Sequence, residues 1–204
     1  VAFVGVSQAT IITSVDRTGG GTGDKAPIGV FDGNTDPLAS ASGLMDGAMV
    51  FSDREYGYIN TPAMPDAEYV RTFNNDKSGG IVWVNYAVTV SEACYLYISV
   101  DYRIPDEWDG CPSQQAAVDL ATYNIAAPGT FVDTGMDLTI REKADGSSDK
   151  TMSVFSAMVE AGTYNFGMMP SGKNFYGIAA APIPEPATMA LLGLGSLVLA
   201  RRRR

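Results

Sequence analysis

Apolar and polar residues alternate in short runs from residue 48 to residue 180, a pattern typical of β-strands. The clearest run places Trp83 and Asn85 on the face opposite Val84. Only residues 114–123 have a helical pattern. The pattern predicts strands at 48–52, 56–61, 69–73, 81–90, 94–102, 138–142, 152–159, 164–168 and 175–179.

Clusters of turn-forming residues separate most of these runs. Many short strands with frequent turns predict an all-β fold, which we interpret as a jelly-roll β-sandwich followed by a single C-terminal transmembrane helix. We divide the chain into a signal-peptide remnant at 1–9, a loop-rich segment at 10–45, the sandwich at 46–181 and a separate C-terminal segment at 182–204.

The N-terminal residues have the features of the end of a signal peptide. Residues 1–6 are apolar, and residues 7–9 have the small-x-small pattern of a cleavage site. We therefore expect a mature start near Thr10, while a first β-strand is the alternative because six apolar residues suit either structure. The glycine-rich run at 19–23 predicts a flexible linker.

The C-terminal segment has the features of a membrane anchor. Residues 187–200 carry no charge, and a helix of this length would cover about 21 Å. Residues 183–186 and a snorkelling Arg201 bring it close to one thin crossing of the bilayer. The positive-inside rule then places the arginines in the cytoplasm and the body of the chain outside. A buried core helix, the alternative, is disfavoured because a terminal arginine run has no reason to be internal. The run consists of Arg201, Arg202, Arg203 and Arg204.

Pro184-Glu185-Pro186, the short apolar stretch and the arginine run stand in the order and spacing of a known sorting signal. This segment resembles the PEP-CTERM signal of exported bacterial proteins. The resemblance implies that Pro184, Glu185 and Pro186 form a processing site for the exosortase, a membrane protease-transpeptidase. It also implies an association with exopolysaccharide and biofilm matrix production. Independently of the resemblance, the prolines break a helix and keep this site extended.

The charge and composition of the chain exclude several functions. The body before Glu185 has 22 acidic and 10 basic residues, a net charge of −12. Such a surface repels phosphate backbones, so nucleic acid is not an expected partner. The chain has no histidine, which excludes a Ser-His-Asp triad, a Cys-His dyad, an HExxH zinc site and a histidine base. We therefore expect no catalytic residues and no enzymatic activity.

A series of short segments runs in order through the body of the chain, at 52–56, 69–72, 75–77, 97–103, 131–135, 161–167 and 174–177, with Pro105 and Trp108. In these segments the chain resembles small galactose-binding-like jelly-roll modules. The resemblance implies a jelly-roll ectodomain of the kind found in PEP-CTERM proteins or appended to extracellular polysaccharide-degrading enzymes. The chain departs from it between Trp108 and Phe131, where 22 residues replace the few expected.

Cys94 and Cys111 are the only cysteines. In an exported protein such a pair predicts a disulfide. It would close an 18-residue loop and stabilise the fold by about 3 kcal/mol in the chain-entropy account. Two separate free thiols are the alternative, and two cysteines without histidine do not make a zinc site.

Asp32, Asn34 and Asp36 have the spacing of the first three ligands of an EF-hand loop. A true EF-hand is excluded because Pro37 replaces the glycine and Gly43 replaces the last glutamate. The resemblance to galactose-binding-like modules implies a looser structural Ca²⁺ site, and a plain turn is the alternative. We expect no other cofactor.

Asp101 and Arg103 share a strand face and lie near Trp108 in the sequence. Arg103 would donate hydrogen bonds to sugar hydroxyls, and Trp108 would stack on a pyranose ring. The alternative is an ion pair and a packing aromatic at the end of a sheet. The carboxylates at 106–109 leave glycoside hydrolysis as the least favoured interpretation.

Taken together, these features predict an exported cell-surface or extracellular-matrix protein that is sorted through its C-terminal signal. We expect it to be non-catalytic and associated with exopolysaccharide or biofilm. A specific carbohydrate-binding module and a polysaccharide-acting enzyme are the alternatives. The expected partners are the exosortase, the membrane and an exopolysaccharide.

Overall fold

The structure, a computed structural model, describes the chain from Thr10 to Ile183 with several gaps. The strands are Ile12–Gly19 (β1), Val30–Phe31 (β2), Gly57–Ile59 (β3), Glu68–Val70 (β4), Val84–Val90 (β5), Cys94–Asp101 (β6), Val132–Arg141 (β7), Lys150–Val159 (β8), Gly162–Phe166 (β9) and Gly177–Pro182 (β10). A helix covers Gln114–Ala121 (α1), and a 3₁₀ turn covers Asn74–Lys77. The described residues are 10–20, 30–31, 44, 46, 48–54, 56–59, 67–77, 83–104, 111–127, 129–143, 145–169 and 173–183.

The strands form two antiparallel sheets. The smaller sheet has the order β1-β5-β9, and the larger has the order β2-β4-β10-β6-β8-β7-β3. The two sheets share one hydrophobic core, so the predicted all-β sandwich is confirmed. The jelly-roll and galactose-binding-like assignments stay predictions, and the predicted transmembrane helix lies outside the described residues.

Alternation along β5, the central strand of the smaller sheet, forms its side of the core. Every second residue of β5 is buried, from Val84 to Val90, as the sequence pattern predicts for one inward face. Tyr86 lies on this face and contacts two aromatic rings in the segment that leads into β10 of the larger sheet. Its ring centroid is 5.9 Å from that of Phe175 and 6.2 Å from that of Tyr176. These tilted and edge-on contacts join the two sheets.

The segment at 10–45 differs from the loop-rich expectation, because β1 lies within it. Ile11 and Ile12 are buried, and their backbone N–H groups donate hydrogen bonds to the Glu68 carboxylate at 2.9 and 2.6 Å. The rest of β1 is an edge strand in which Val15 and the charged Arg17 are partly buried and the other residues are exposed. The sequence therefore does not show the strand, since a carboxylate remote along the chain holds its start.

Strand β7 also begins earlier than the pattern predicts, at Val132 instead of residue 138. The pairing register with β8 shifts between Asp133 and Asp137, which is the irregularity of a bulge. Gly135 has a φ of 70° within it. A bulge breaks the period-two pattern, so the first half of this strand does not read as one in the sequence.

A buried ion pair fixes the end of β1 to the 3₁₀ turn. Arg17 Nε donates to Asp76 Oδ2 at 2.9 Å, and an Arg17 Nη contacts the other carboxylate oxygen. The Arg17 side chain is 6% exposed, and that of Asp76 is fully buried. The Tyr86 hydroxyl donates to Asp76 Oδ2 at 2.5 Å and accepts from the Phe73 N–H at 2.9 Å. The hydrogen bond to Asp76 raises the pKa of Arg17, and burial raises the pKa of Tyr86.

Replacing Asp76 tests how much the Arg17–Asp76 ion pair contributes to the stability of the fold. We expect Asp76→Ala to lower the free energy of unfolding by about 3–5 kcal/mol, because it leaves the buried Arg17 charge without its carboxylate. Urea unfolding followed by far-UV circular dichroism measures the change. Asp149→Ala is the matched control, since Asp149 forms its ion pair with Arg141 at the surface and should change the midpoint little. Equal effects of the two substitutions would contradict a structural role for the buried pair.

Candidate functional site

The predicted sugar-binding pair is an ion pair in the structure. Asp101, the last residue of β6, is fully buried, and its Oδ1 accepts hydrogen bonds from the Arg103 backbone N–H at 3.0 Å and from Nε at 2.8 Å. Its Oδ2 accepts from an Arg103 Nη at 2.5 Å and from the Asn174 backbone N–H at 3.2 Å. The hydrogen bond to Asp101 raises the pKa of Arg103. This geometry fits the ion-pair alternative, and the sugar-binding role of the pair stays a prediction.

Several predicted site residues lie outside the described residues. These are Trp108 of the sugar-binding hypothesis, Asp32, Asn34 and Asp36 of the calcium hypothesis, Pro184, Glu185 and Pro186 of the processing site, Arg201, Arg202, Arg203 and Arg204 of the anchor, and the signal-peptide remnant at 1–9. Within the described ranges, no cluster of three or more Cys, Asp or Glu side chains is arranged to hold a metal ion.

Cys94 and Cys111 are both buried, and the predicted disulfide does not join them in the structure. Cys94 begins β6, whereas Cys111 lies beyond the end of that strand at Asp101 and two residues before the Ser113 cap of α1. The Cys111 Sγ instead donates to the Ser113 carbonyl oxygen at 3.4 Å. Burial, with the charges of Glu92 and Glu68, raises the pKa of the Cys94 thiol to about 11. The thiol is therefore protonated and unreactive at neutral pH.

An open pocket of about 180 Å³ lies where the smaller sheet meets the turn after α1. Two strongly exposed aromatic side chains line it. Trp83 is 69% exposed and Tyr123 is 54% exposed. The full lining is Thr18, Gly19, Trp83, Val84, Asn85, Tyr123, Asn124, Gly167 and Met168.

The end of β1 positions Trp83. Gly19 pairs with Val84 and has a φ of 73°, and the Gly20 N–H donates to the Trp83 carbonyl oxygen at 2.8 Å. A Cβ atom on Gly19 would stand 2.0 Å from that carbonyl oxygen. Only glycine allows both this backbone conformation and this approach. The first two residues of the predicted flexible linker therefore have defined positions beside the pocket.

Helix α1 and the end of β9 position Tyr123. The Ser113 hydroxyl caps the start of α1 by accepting from the Ala116 N–H at 3.1 Å. At the other end, the Gly167 N–H donates to the Ala121 carbonyl oxygen at 2.7 Å. A Cβ atom on Gly167 would lie 3.3 Å from Tyr123 Cε1, so glycine leaves room for the ring.

The lining of the pocket is uncharged and more apolar than polar. Its hydrogen-bonding side chains, apart from the Trp83 indole and the Tyr123 hydroxyl, are Thr18, Asn85 and Asn124. The Asn85 amide donates to Asn165 Oδ1 at 3.1 Å, which fixes its orientation. Arg17 lies next to this wall in the sequence, and Asp76 neutralises its charge. The pocket can therefore hold a neutral ligand that has hydroxyl groups at its edges and one apolar face for the two aromatic rings.

The sequence predicts one of the two aromatic residues of this pocket to be exposed. The alternation that buries Val84 and Tyr86 places Trp83 and Asn85 on the opposite face. An exposed tryptophan at the start of a strand is therefore visible in the pattern. Tyr123 and Gly167 are not, because only the packing of α1 against the sheets brings them to Trp83.

Comparison with known proteins identifies the C-terminal segment. Residues 182–204 match the family model described as the PEP-CTERM protein-sorting motif. Searches among curated proteins and among solved structures found no match to the chain. The motif confirms the first resemblance and indicates an exported surface protein that is sorted by an exosortase. Among the helices that the structure describes, none has the length and apolar character needed to cross a membrane.

Gly19→Ala tests the backbone approach that positions Trp83. Both Gly19→Ala and the control Gly135→Ala place a side chain at a φ near 70°, which costs about 1–2 kcal/mol. Only Gly19→Ala adds a clash, because the Cβ of Gly135 would meet no atom within 4 Å. We expect a larger loss of unfolding free energy for Gly19→Ala in urea titrations. Equal losses would show that the contact with the Trp83 carbonyl is not close.

Thiol labelling tests the state of the cysteines. We expect iodoacetamide to label neither cysteine in the native protein at pH 7, because both are buried and the Cys94 thiol is protonated. In urea without reductant, mass spectrometry should show two labels. If both labels appear only after a reductant is added, a disulfide is present and the structural assignment is wrong.

Proposed function

We propose that the sandwich is the non-catalytic ectodomain of a surface or matrix protein that stays with exopolysaccharide after exosortase processing. The observation that carries the proposal is the position of the sorting motif. The match begins at Pro182, which is also the last residue of β10. The folded body and the sorting signal therefore meet without a described linker between them.

This junction fits processing outside a folded domain. Only Ile183 separates β10 from Pro184, so the processing site begins within about 7 Å of the sheet. Cleavage near Pro184 to Pro186 would leave all of β10 with the sandwich. At the other end, a mature start near Thr10 would leave β1 intact, since β1 begins at Ile12.

The net charge of −12 supports a role outside the cell after release from the anchor. An acidic surface keeps the processed domain soluble and repels anionic lipid headgroups. The only arginine run of the chain belongs to the segment that processing would remove.

Two observations support a non-catalytic role. The chain has no histidine, which removes the commonest general base. In addition, four buried carboxylates serve as structural acceptors. Glu68 and Asp53 accept backbone N–H groups, while Asp76 and Asp101 bind arginines. A carboxylate held in this way is not available for acid–base catalysis at a substrate.

Mass spectrometry of the mature protein tests the sorting part of the proposal. In a host with an exosortase, we expect a product that begins near Thr10 and ends near Pro184 to Pro186. A variant with Pro184, Glu185 and Pro186 replaced by alanine should remain at full length in the membrane fraction. The same host without the exosortase is the control. A full-length chain that is freely soluble in the cytosol would contradict the proposal.

Retention by the matrix tests the exopolysaccharide part. We expect the processed protein to remain with isolated exopolysaccharide of the host through repeated washing at moderate salt. An unrelated exported protein of similar acidity is the control, and it should wash out. If both proteins elute together, the association with exopolysaccharide is wrong, although sorting by the exosortase is unaffected.

A further inference from the structure

We propose that the Trp83–Tyr123 pocket binds one neutral pyranose ring of a polysaccharide. The inference rests on the proposed association with exopolysaccharide and assigns it a site. It places binding on residues other than the Asp101–Arg103 pair. Its support comes from the aromatic lining, the size, the charge and the location of the pocket.

The aromatic lining suits a sugar. Trp83 and Tyr123 are among the few large apolar side chains that remain more than half exposed in the described part of the chain. Exposed aromatic rings that meet at one concavity mark a binding surface. The C–H groups of a pyranose form an apolar face that packs on an indole or phenol ring, while its hydroxyls point to the edges.

The volume limits the ligand to one ring. A cavity of about 150 Å³ holds one benzene molecule, so the pocket, at about 180 Å³, has room for a single six-membered ring. It is smaller than the pockets of about 300–1,000 Å³ that enclose drug-sized molecules. The pocket is open, so the neighbouring units of a polymer can continue into solvent.

The charge distribution selects a neutral sugar. None of the nine lining residues is charged, and the polar side-chain groups are hydroxyls, amides and the Trp83 indole N–H. Among these lining residues a carboxylate or phosphate ligand would find no cation, and the net charge of −9 would repel it. Amide groups such as those of Asn85 and Asn124 both donate to and accept from sugar hydroxyls.

The pocket lies at the end of the sandwich opposite the sorting tail. Gly19 and Val84 form one end of the smaller sheet, and Val90 pairs with Ile12 at the other end. Residues 91–93 connect Val90 to Cys94, which pairs with Pro182, where the sorting motif begins. The seven residues of β5 separate the two ends by about 20 Å. While the tail holds the chain at the membrane, the pocket therefore lies on the far side of the domain.

Retention on immobilised polysaccharide tests the pocket. The full chain, purified in a detergent without a sugar headgroup, is passed over dextran, galactan and mannan, with alginate as the anionic comparison. We expect retention by at least one neutral polymer, weaker retention by alginate, and competition by the free monosaccharide of that polymer. Trp83→Ala and Tyr123→Ala should each weaken binding by about tenfold or more, as loss of one stacking ring does for nucleobases.

Tyr102→Ala is the matched control, because Tyr102 is 65% exposed but does not line the pocket. We expect it to bind like the unmodified chain, and Trp83→Phe should recover part of the affinity that Trp83→Ala loses. Far-UV circular dichroism and the urea midpoint verify that each variant is folded. If Trp83→Ala does not fold, Tyr123→Ala decides the outcome, and full binding by the folded Tyr123→Ala variant then overturns the pocket.

The possible outcomes of the retention experiment lead to different conclusions. Full binding by folded Trp83→Ala and Tyr123→Ala overturns the pocket and leaves the exopolysaccharide association in place at another surface. Preference for alginate overturns the neutral class of ligand. No retention of the unmodified chain by any neutral polymer overturns the pocket, and the washing experiment with the host's own exopolysaccharide then decides whether the association itself survives.

Discussion

The Asp76 carboxylate is the contact on which the arrangement of the smaller sheet depends. It binds Arg17 from β1 and the Tyr86 hydroxyl from β5, and it belongs to the turn that follows β4 of the larger sheet. Three parts of the sandwich therefore share one buried anion. A buried charge is tolerated only when such partners surround it. Because Arg17 precedes Thr18 and Gly19, this contact also fixes the wall of the aromatic pocket.

Strands whose neighbours bury one face could be predicted from the sequence. The alternation in β5 and the apolar character of β8 mark them as strands because hydrophobic contacts alone define their faces. Strand β1 could not be predicted, since its partners are a backbone ladder and the remote carboxylate of Glu68. The first half of β7 was hidden by its bulge. Local pattern thus identifies strands with regular alternation, whereas β1 depends on contacts with residues distant in the sequence and β7 on an irregular register.

The sorting motif and the Trp83–Tyr123 pocket also differ in how much of each the sequence predicts. The sorting motif is a linear signal, because its prolines, apolar stretch and arginines follow one another in order along residues 182–204. The motif can therefore be recognised from the sequence without knowledge of the fold. The pocket is formed by residues from β1, from β5 and the position before it, from the turn after α1 and from the segment after β9, which span more than a hundred positions of the sequence. Alternation places Trp83 on an outer face, but its position next to Tyr123 results from tertiary packing and could not be predicted from the sequence.

The last described strand lies inside the larger sheet. Strand β10 lies between β4 and β6, so both of its edges are paired, and the sorting segment begins at its final residue. A partly translocated chain lacks this strand and leaves two open sheet edges unpaired. The sheet can close only when the chain as far as Pro182 has been exported. Completion of the larger sheet thus waits for the residues that directly precede the sorting motif, and the order of the strands couples folding to the export of that segment.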